Sequence, residues 1–228
     1  LISLIASAQS APSKSNLQQY SILLIKNKEM KNQLSKLLGK TAWALEAPLF
    51  FLFLADIRRN QIITEYKGYE YKNNSIDYFM NAVIDTSLAM QNLINSAEEF
   101  GLGICPISMV RNHLGEVKKM CHLPKGVFPI AGLCVGWPDE NNEVSIRLPM
   151  KVVFHEDFYN DKDILKQIDH YDKTIESVQP IPKSKQRHVN VYGFNKKNTW
   201  SENISRQMSL SERKEFKKWL KSHGFNLD

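Results

Sequence analysis

The run YFMNAVIDTSLAMQNLINSAEEFGLGICPISMVR, residues 78–111, constrains this chain more than any other stretch. Its first two-thirds place apolar residues at Phe79, Ala82, Val83, Ala89, Met90, Leu93, Ala97 and Phe100, with Thr86 filling the gap. Steps of three and four are the helical period. Leu88 and Ile94 lie off the main stripe, so more than one face of the helix is expected to be covered. Gly101 and Gly103 are expected to stop it, because glycine accepts the left-handed turn of a helix end. Ile104 to Ile107 then read as a short strand. A core helix that runs through Gly-Leu-Gly into a strand and a polar loop is a good place to hold a ligand.

A helix of that kind needs a substantial core around it. The chain has 228 residues, 43% of them hydrophobic, which is enough for one globular domain, with or without an extension, and no need of a disulfide or metal. Three cysteines, Cys105, Cys121 and Cys134, are too few and too far apart for a zinc site or a disulfide framework. Two of them lie in apolar strand-like runs and read as buried, inert thiols, a usage that fits the reducing cytoplasm. No run reaches the ~18 apolar residues of a membrane span. The start, LISLIASAQSA, lacks the positive flank of a signal peptide. With no initiator Met, it reads as the middle of a helix whose upstream sequence is missing.

The net charge of +6 is unevenly placed. Residues 1–180 carry 19 Lys and Arg against 20 Asp and Glu, a balance of −1, whereas residues 181–228 carry 11 against 4, a balance of +7. Such a segment reads as a solvated surface, a phosphate-binding arm or a nucleic-acid arm. Only Tyr192, Phe194 and Trp200 interleave the charges, and no nucleic-acid-binding motif is present, so nucleic acid is not expected as a partner.

In chain order, residues 1–10 are helical in pattern and 11–16 form a small polar loop. Tyr20 to Lys26 reads as a central strand, Lys28 to Leu38 as an amphipathic helix ended by Gly39, and Leu49 to Ala55 as a buried strand ending at Asp56. Arg58 to Ser75 reads as an irregular exposed excursion. After the long helix come a helix over 110–120, a strand over Val127 to Gly136, a charged loop over 139–147 and a strand over Lys151 to Phe154. Asp161 to Ser177 reads as an exposed helix, and 179–198 as basic and extended. Ser209-Leu-Ser-Glu212 is a capping-box pattern for a final helix to about Ser222. The expected division is a core over 1–155 and a basic arm over 156–228, packed on the core or on a partner subunit. The fold class is α+β, a mixed or antiparallel sheet flanked by helices.

No side-chain engine is visible. The six histidines sit in no nucleophile motif, Glu98-Glu99 reads as solvated, and neither a GxGxxG nor a P-loop occurs. An enzyme without such an engine usually draws its chemistry from a cofactor.

The ordered series APSKSNLQQYSILLI, APLFFLFLAD, AEEFGLGICPIS, LPKGVFPIAGLCVGWP, RLP and NTWS resembles the nitroreductase superfamily, and more closely its NADPH-dependent nitroreductase and flavin reductase branch with a C-terminal arm. The resemblance spans nearly the whole chain. It implies a homodimer with FMN at the subunit interface. It also implies ping-pong transfer of hydride from NADPH to the flavin, and on to a nitroaromatic, a quinone or free flavin. Carried over, Ser13, Lys14 and Ser15 would lie against FMN, with Thr41 at a further flavin-contacting position. Pro106, Ile107, Ser108 and Met109 would line the flavin ring. Arg147 would hold the phosphate, with Ser145 two residues before it, and Lys196 and Arg213 would meet NADPH. No catalytic side chain and no metal ligand is implied.

The chain departs from the family pattern in several places. An upstream His-Arg-Ser-x-Arg segment is absent. Thr41 replaces a glutamine, Ser108-Met109 a Gly-Gly pair, Ser145 a lysine and Val191 an arginine, and Asn16 stands where an aromatic is usual. The alternative to an FMN-dependent oxidoreductase is an FMN-binding carrier or sensor without efficient turnover.

Overall fold

Four strands, β1 (Tyr20–Leu24), β2 (Leu49–Asp56), β3 (Gly103–Ile107) and β4 (Val127–Gly136), make one sheet in the order β1-β2-β4-β3. Every neighbouring pair is antiparallel. The computed structural model describes residues 1–39, 46–139 and 143–226. Contacts divide the chain into two units, Leu1–Glu140 with Glu215–Asp228, and Asn141–Lys214.

The sheet lies in the first unit, and the alternation of β2 explains what covers it. Phe50, Leu52 and Leu54 face one way, into a cluster with Leu34 and Leu38 of α2 (Lys28–Leu38) and Val117 of α5 (Leu114–Met120). Phe51 and Phe53 face the other way, onto Leu4 and Ala8 of α1 (Ile2–Gln9) and Ala89, Leu93 and Ala97 of α4 (Ile76–Glu99). A strand buried on both faces reads as an unbroken apolar run, as Leu49 to Ala55 does. Burying each such side chain contributes about 1.5–3 kcal/mol. The register slips between Phe53 and Leu54, opposite Ala131 and Pro129. The slip gives Pro129 a place in a central strand, where a missing N–H would otherwise break the ladder. The carbonyl of Ile130, which the slip passes over, accepts a hydrogen bond from Arg111 Nη1.

The long helix ends as its sequence predicts at one glycine and not at the other. Gly101 has φ 72°, its N–H donates to Glu98 O at 2.9 Å, and the N–H of Leu102 donates to Ala97 O at 2.9 Å, the paired closure of a Schellman end. Gly103 belongs to β3 instead, where an added Cβ would stand 3.2 Å from Pro138 Cβ. The last helix, α10 (Phe216–Ser222), belongs to the first unit. The Phe128 ring meets Phe216 and Trp219 edge-on at 5.3 and 5.4 Å, and Leu220 and Phe225 are buried beside it.

Several expectations need correction. Strand β1 is an edge strand and not a central one, since β2 and β4 hold the middle of the sheet. The excursion after Asp56 contains a helix, α3 (Arg58–Tyr66). It buries no residue, so the apolar period that betrays a helix is missing; local pairs such as Gln61 to Glu65 and Thr64 to Asn60 O tie its turns. Residues 108–112 form a 3-10 turn, which α5 follows after a break at His113.

In the second unit, residues 150–153 form a helical turn, α6 (Met150–Val153), where a strand was expected. α7 (Ile164–Val178) buries Tyr171, Asp172 and Ile175, so it is only partly exposed. The segment expected to be extended contains α8 (Val189–Tyr192). The capping pattern operates ten residues earlier than expected: Thr199 caps α9 (Trp200–Met208), its hydroxyl accepting the Glu202 N–H at 3.2 Å. α10 starts at Phe216, behind Glu215, and not at Ser209. Among the described residues no helix is long and apolar enough to cross a membrane.

Candidate functional site

The polar loop between α1 and β1 is built with strain and held by side chains from α3 and α4. Ser15, Asn16 and Gln18 have φ of 50°, 56° and 51°. Left-handed backbone costs about 1–2 kcal/mol for a residue with a Cβ, least for Asn. The Ser13 hydroxyl accepts the Gln18 N–H at 2.8 Å, closing the loop on itself. The carboxylate of Asp85, 1% exposed, accepts the Lys14 N–H at 3.0 Å through one oxygen and the Gln19 N–H at 3.1 Å through the other. Arg59 takes the carbonyls, with Nη1 donating to Gln18 O at 3.0 Å and Nη2 to Tyr20 O at 3.1 Å. Asn60 Nδ2 donates to Leu17 O at 3.2 Å. Asp56 accepts from Ser21 Oγ at 2.6 Å and from Arg59 Nη2 at 3.4 Å, which steadies the guanidinium. The Lys14 ammonium lies 5.8 Å from the ring centroid of Tyr78, within cation–π range.

The end of β3, on the opposite edge of the sheet from β1, holds the other candidate residues of this unit. Pro106 and Ser108 are exposed, and Met109 is half-buried against the core. Ile107 is 4% exposed and its side chain belongs to the core, so a ligand there would meet only its backbone. Cys105 stands directly across from Cys134 on β4. Among the described residues none of the three cysteines forms a disulfide. Burial pushes the Cys121 thiol up to about 11 and the Cys134 thiol up to about 12. Thiolate is therefore scarce near neutral pH, and neither thiol is suited to act as a nucleophile. Thr41 lies outside the described residues.

Ser145, Arg147, Lys196 and Arg213 all lie in the second unit. Ser145 and Arg147 line a cleft of about 670 Å³, together with Ile146, Tyr171, Ile175 and Trp200. Ile146 between them is pinned on both sides, its carbonyl accepting from Tyr171 Oη at 2.8 Å and its N–H donating to Gln179 Oε1 at 3.2 Å. Trp200 meets Tyr171 edge-on at 5.3 Å. Arg147 is exposed, and among the described residues its single hydrogen bond runs from Nη1 to Ser145 O at 2.8 Å. The rest of its fork is open to a phosphate, which a guanidinium grips through two parallel hydrogen bonds. The chemistry of the donors fits FMN within each unit taken by itself: an exposed guanidinium in the second suits a phosphate, and an exposed strand end in the first leaves backbone open to a planar ring.

Lys196 is exposed. Arg213 is half-buried and lies 3.5 Å from Glu212. Neither lines the cleft that holds Arg147. Arg206, another cation of this basic segment, is 7% exposed. It is engaged with Glu202 at 2.7 Å and Gly193 O at 2.7 Å, so it is a structural cation. Its hydrogen bond holds the Glu202 carboxyl below the usual range.

Sequence reasoning passed over Asp85, Arg59 and Asp172. The period that buries Ala82, Thr86, Ala89 and Leu93 also buries position 85, and a carboxylate on that face needs donors. Asp172 follows the same logic on α7, accepting the Ser201 N–H at 3.0 Å and a hydrogen bond from its hydroxyl. Among the described residues no group of three His, Cys, Asp or Glu side chains could hold a metal ion.

Two family models account for nearly all of the chain: Nitroreductase family over residues 1–137, and Nitroreductase family, C-terminal domain, over residues 146–228. An "FMN reductase (NADPH)" of Bacillus subtilis is 35% identical over 227 residues, covering 98% of this chain and 88% of that protein. An "Oxygen-insensitive NADPH nitroreductase" of Salmonella typhimurium is 31% identical, with 97% and 87% covered. The solved structure of NfrA2 from B. megaterium superposes with a TM-score of 0.88 at 31% identity, covering 99% of this chain and 88% of that one. With family models over residues 1–137 and 146–228 and relatives alike over nearly the whole length, the chain belongs to the nitroreductase family.

Proposed function

We propose that this protein is an FMN-dependent NADPH oxidoreductase that reduces nitroaromatics, quinones or free flavin. The observation that carries the reading is the end-to-end likeness to relatives named as an NADPH-dependent FMN reductase and an NADPH nitroreductase. Bound FMN would supply the hydride chemistry, two-electron transfer from NADPH to the acceptor. The chain's own residues bind and orient. Arg147 would hold the phosphate, the Ser13–Ser15 loop and the backbone from Pro106 to Met109 would lie against the flavin, and Lys196 and Arg213 would supply positive charge for NADPH. The absence of a side-chain engine in the sequence agrees with this division of labour. Steady-state rates with NADPH varied at several fixed acceptor concentrations test it. Parallel double-reciprocal lines are expected, and intersecting lines would contradict ping-pong transfer.

The working form we propose is a homodimer. Ile76, Met80, Ile84 and Leu88 recur every four residues along α4 and are all exposed, a stripe that a second subunit would cover. An obligate interface buries at least about 2,000 Å². Light scattering at micromolar concentration should give twice the chain mass, and a stable, flavin-loaded monomer would overturn the proposal. The reducing cytoplasm is the proposed compartment, supported by a usage of only three cysteines, too few and too widely spaced for a disulfide framework.

A further inference from the structure

We propose that Asp85 and Arg59 are positioning residues for the flavin site, holding the Ser13–Gln19 loop in its strained shape so that the loop is formed before FMN arrives; the role depends on FMN being the ligand.

Three observations converge on this role. First, three non-glycine residues within four positions are left-handed, a conformation that persists only where surrounding groups over-determine it. Second, the groups that do so are matched to the loop's backbone by sign. The buried carboxylate of Asp85 takes two N–H groups, at Lys14 and Gln19, and the guanidinium of Arg59 takes two carbonyls, at Gln18 and Tyr20. Third, Gln19 is fully buried while its side-chain amide has no hydrogen-bond partner among the described residues. Leaving that amide unpaired is unfavourable, so the anchoring must come from its backbone, where Asp85 takes the N–H and the carbonyl accepts from Asp56 N at 3.0 Å. A lone carboxylate at 1% exposure on the apolar face of α4 is also unfavourable unless hydrogen-bonded, and the loop supplies its two donors. Helix and loop therefore hold each other, and the site keeps its shape without its ligand. Preorganisation of this kind raises affinity by removing the cost of ordering the loop on binding.

The test compares FMN affinity, apo-protein melting and amide exchange in the wild type, Asp85→Asn, Asp85→Ala and Arg59→Gln. Asparagine keeps one acceptor oxygen and sets an NH₂ against the other N–H, while alanine removes both acceptors. A graded loss of FMN affinity is expected, about tenfold or more for Asp85→Ala and less for Asp85→Asn, measured well below each melting temperature. Amide exchange at Lys14 and Gln19 should quicken in the apo variants. A merely structural role would lower the melting temperature and leave the FMN dissociation constant and these two amides at wild-type values, and that result overturns the proposal. Should Asp85→Ala fail to fold, Asp85→Asn and Arg59→Gln decide by the same readings. Wild-type protein that takes up no FMN overturns the flavin reading itself; variants that bind FMN as the wild type does overturn only the role of Asp85 and Arg59.

Discussion

Arg147→Ala isolates the phosphate contact. The side chain is exposed and, among the described residues, makes one hydrogen bond, to its neighbour Ser145 O at 2.8 Å. Its removal exposes no core and leaves no buried partner unsatisfied, so the fold should change by no more than about 0.5 kcal/mol. A hydrogen bond to a charged group is worth about 1.5–3 kcal/mol, and solvent screening at an exposed site argues for the lower end. The expected loss is about tenfold in FMN affinity, since about 1.4 kcal/mol is a factor of ten. Arg147→Lys keeps the charge but loses the fork and should fall between wild type and alanine. The assay is quenching of flavin fluorescence on titration with apo-protein, run in parallel with riboflavin, which lacks the phosphate. Arg147→Ala should weaken FMN binding and leave riboflavin binding unchanged. Equal effects on both flavins, or none on FMN, would refute the assignment.

Other perturbations probe separate parts of the account. Lys196 is exposed, so Lys196→Ala should raise the KM for NADPH several-fold, leave NADH nearly unaffected and lose its effect in high salt, where exposed charges are screened. Equal changes for both reductants would show that the 2′-phosphate is read elsewhere. Gly132→Ala should destabilise the fold by about 1–3 kcal/mol, because the new Cβ would sit 2.5 Å from Cζ of the fully buried Phe50; an unchanged melting temperature would contradict that packing. Alkaline pH should weaken the fold. Burial raises Cys121 to about 11, Cys134 to about 12 and Tyr71 to about 12, so the folded chain keeps protons that the unfolded chain releases from about pH 8.5 upward. Their contribution is complete below that pH and falls as pH rises towards about 11 for Cys121 and about 12 for Cys134 and Tyr71, and denaturant midpoints that stay flat from pH 8 to 10.5 would contradict the burial.

The parts of the fold that could be read from sequence are those where burial imposes a pattern. The run from Phe50 to Asp56 and the stripe through Ala82, Ala89 and Leu93 are buried, and both elements lie where their apolar residues place them. The helix over Arg58–Tyr66 was missed because it buries nothing and so leaves no period. The cap at Thr199 competed with a similar pattern at Ser209, and a four-residue capping motif alone does not decide between them. For the candidate site, the residues proposed to touch a ligand come from the family resemblance, and composition or spacing alone does not single them out. It was silent on Asp85 and Arg59, which act on backbone groups across 66 and 41 positions of sequence. Such pairings leave a trace only as a charged residue on an apolar helix face.

The visible spectrum of the purified protein under anaerobic conditions, before and after NADPH, tests the central claim most directly. FMN-loaded protein should be yellow and should bleach when NADPH is added, then recover its colour when a nitroaromatic or quinone is admitted. Colour that persists in the presence of NADPH, or a protein that stays colourless after incubation with FMN, would contradict the account.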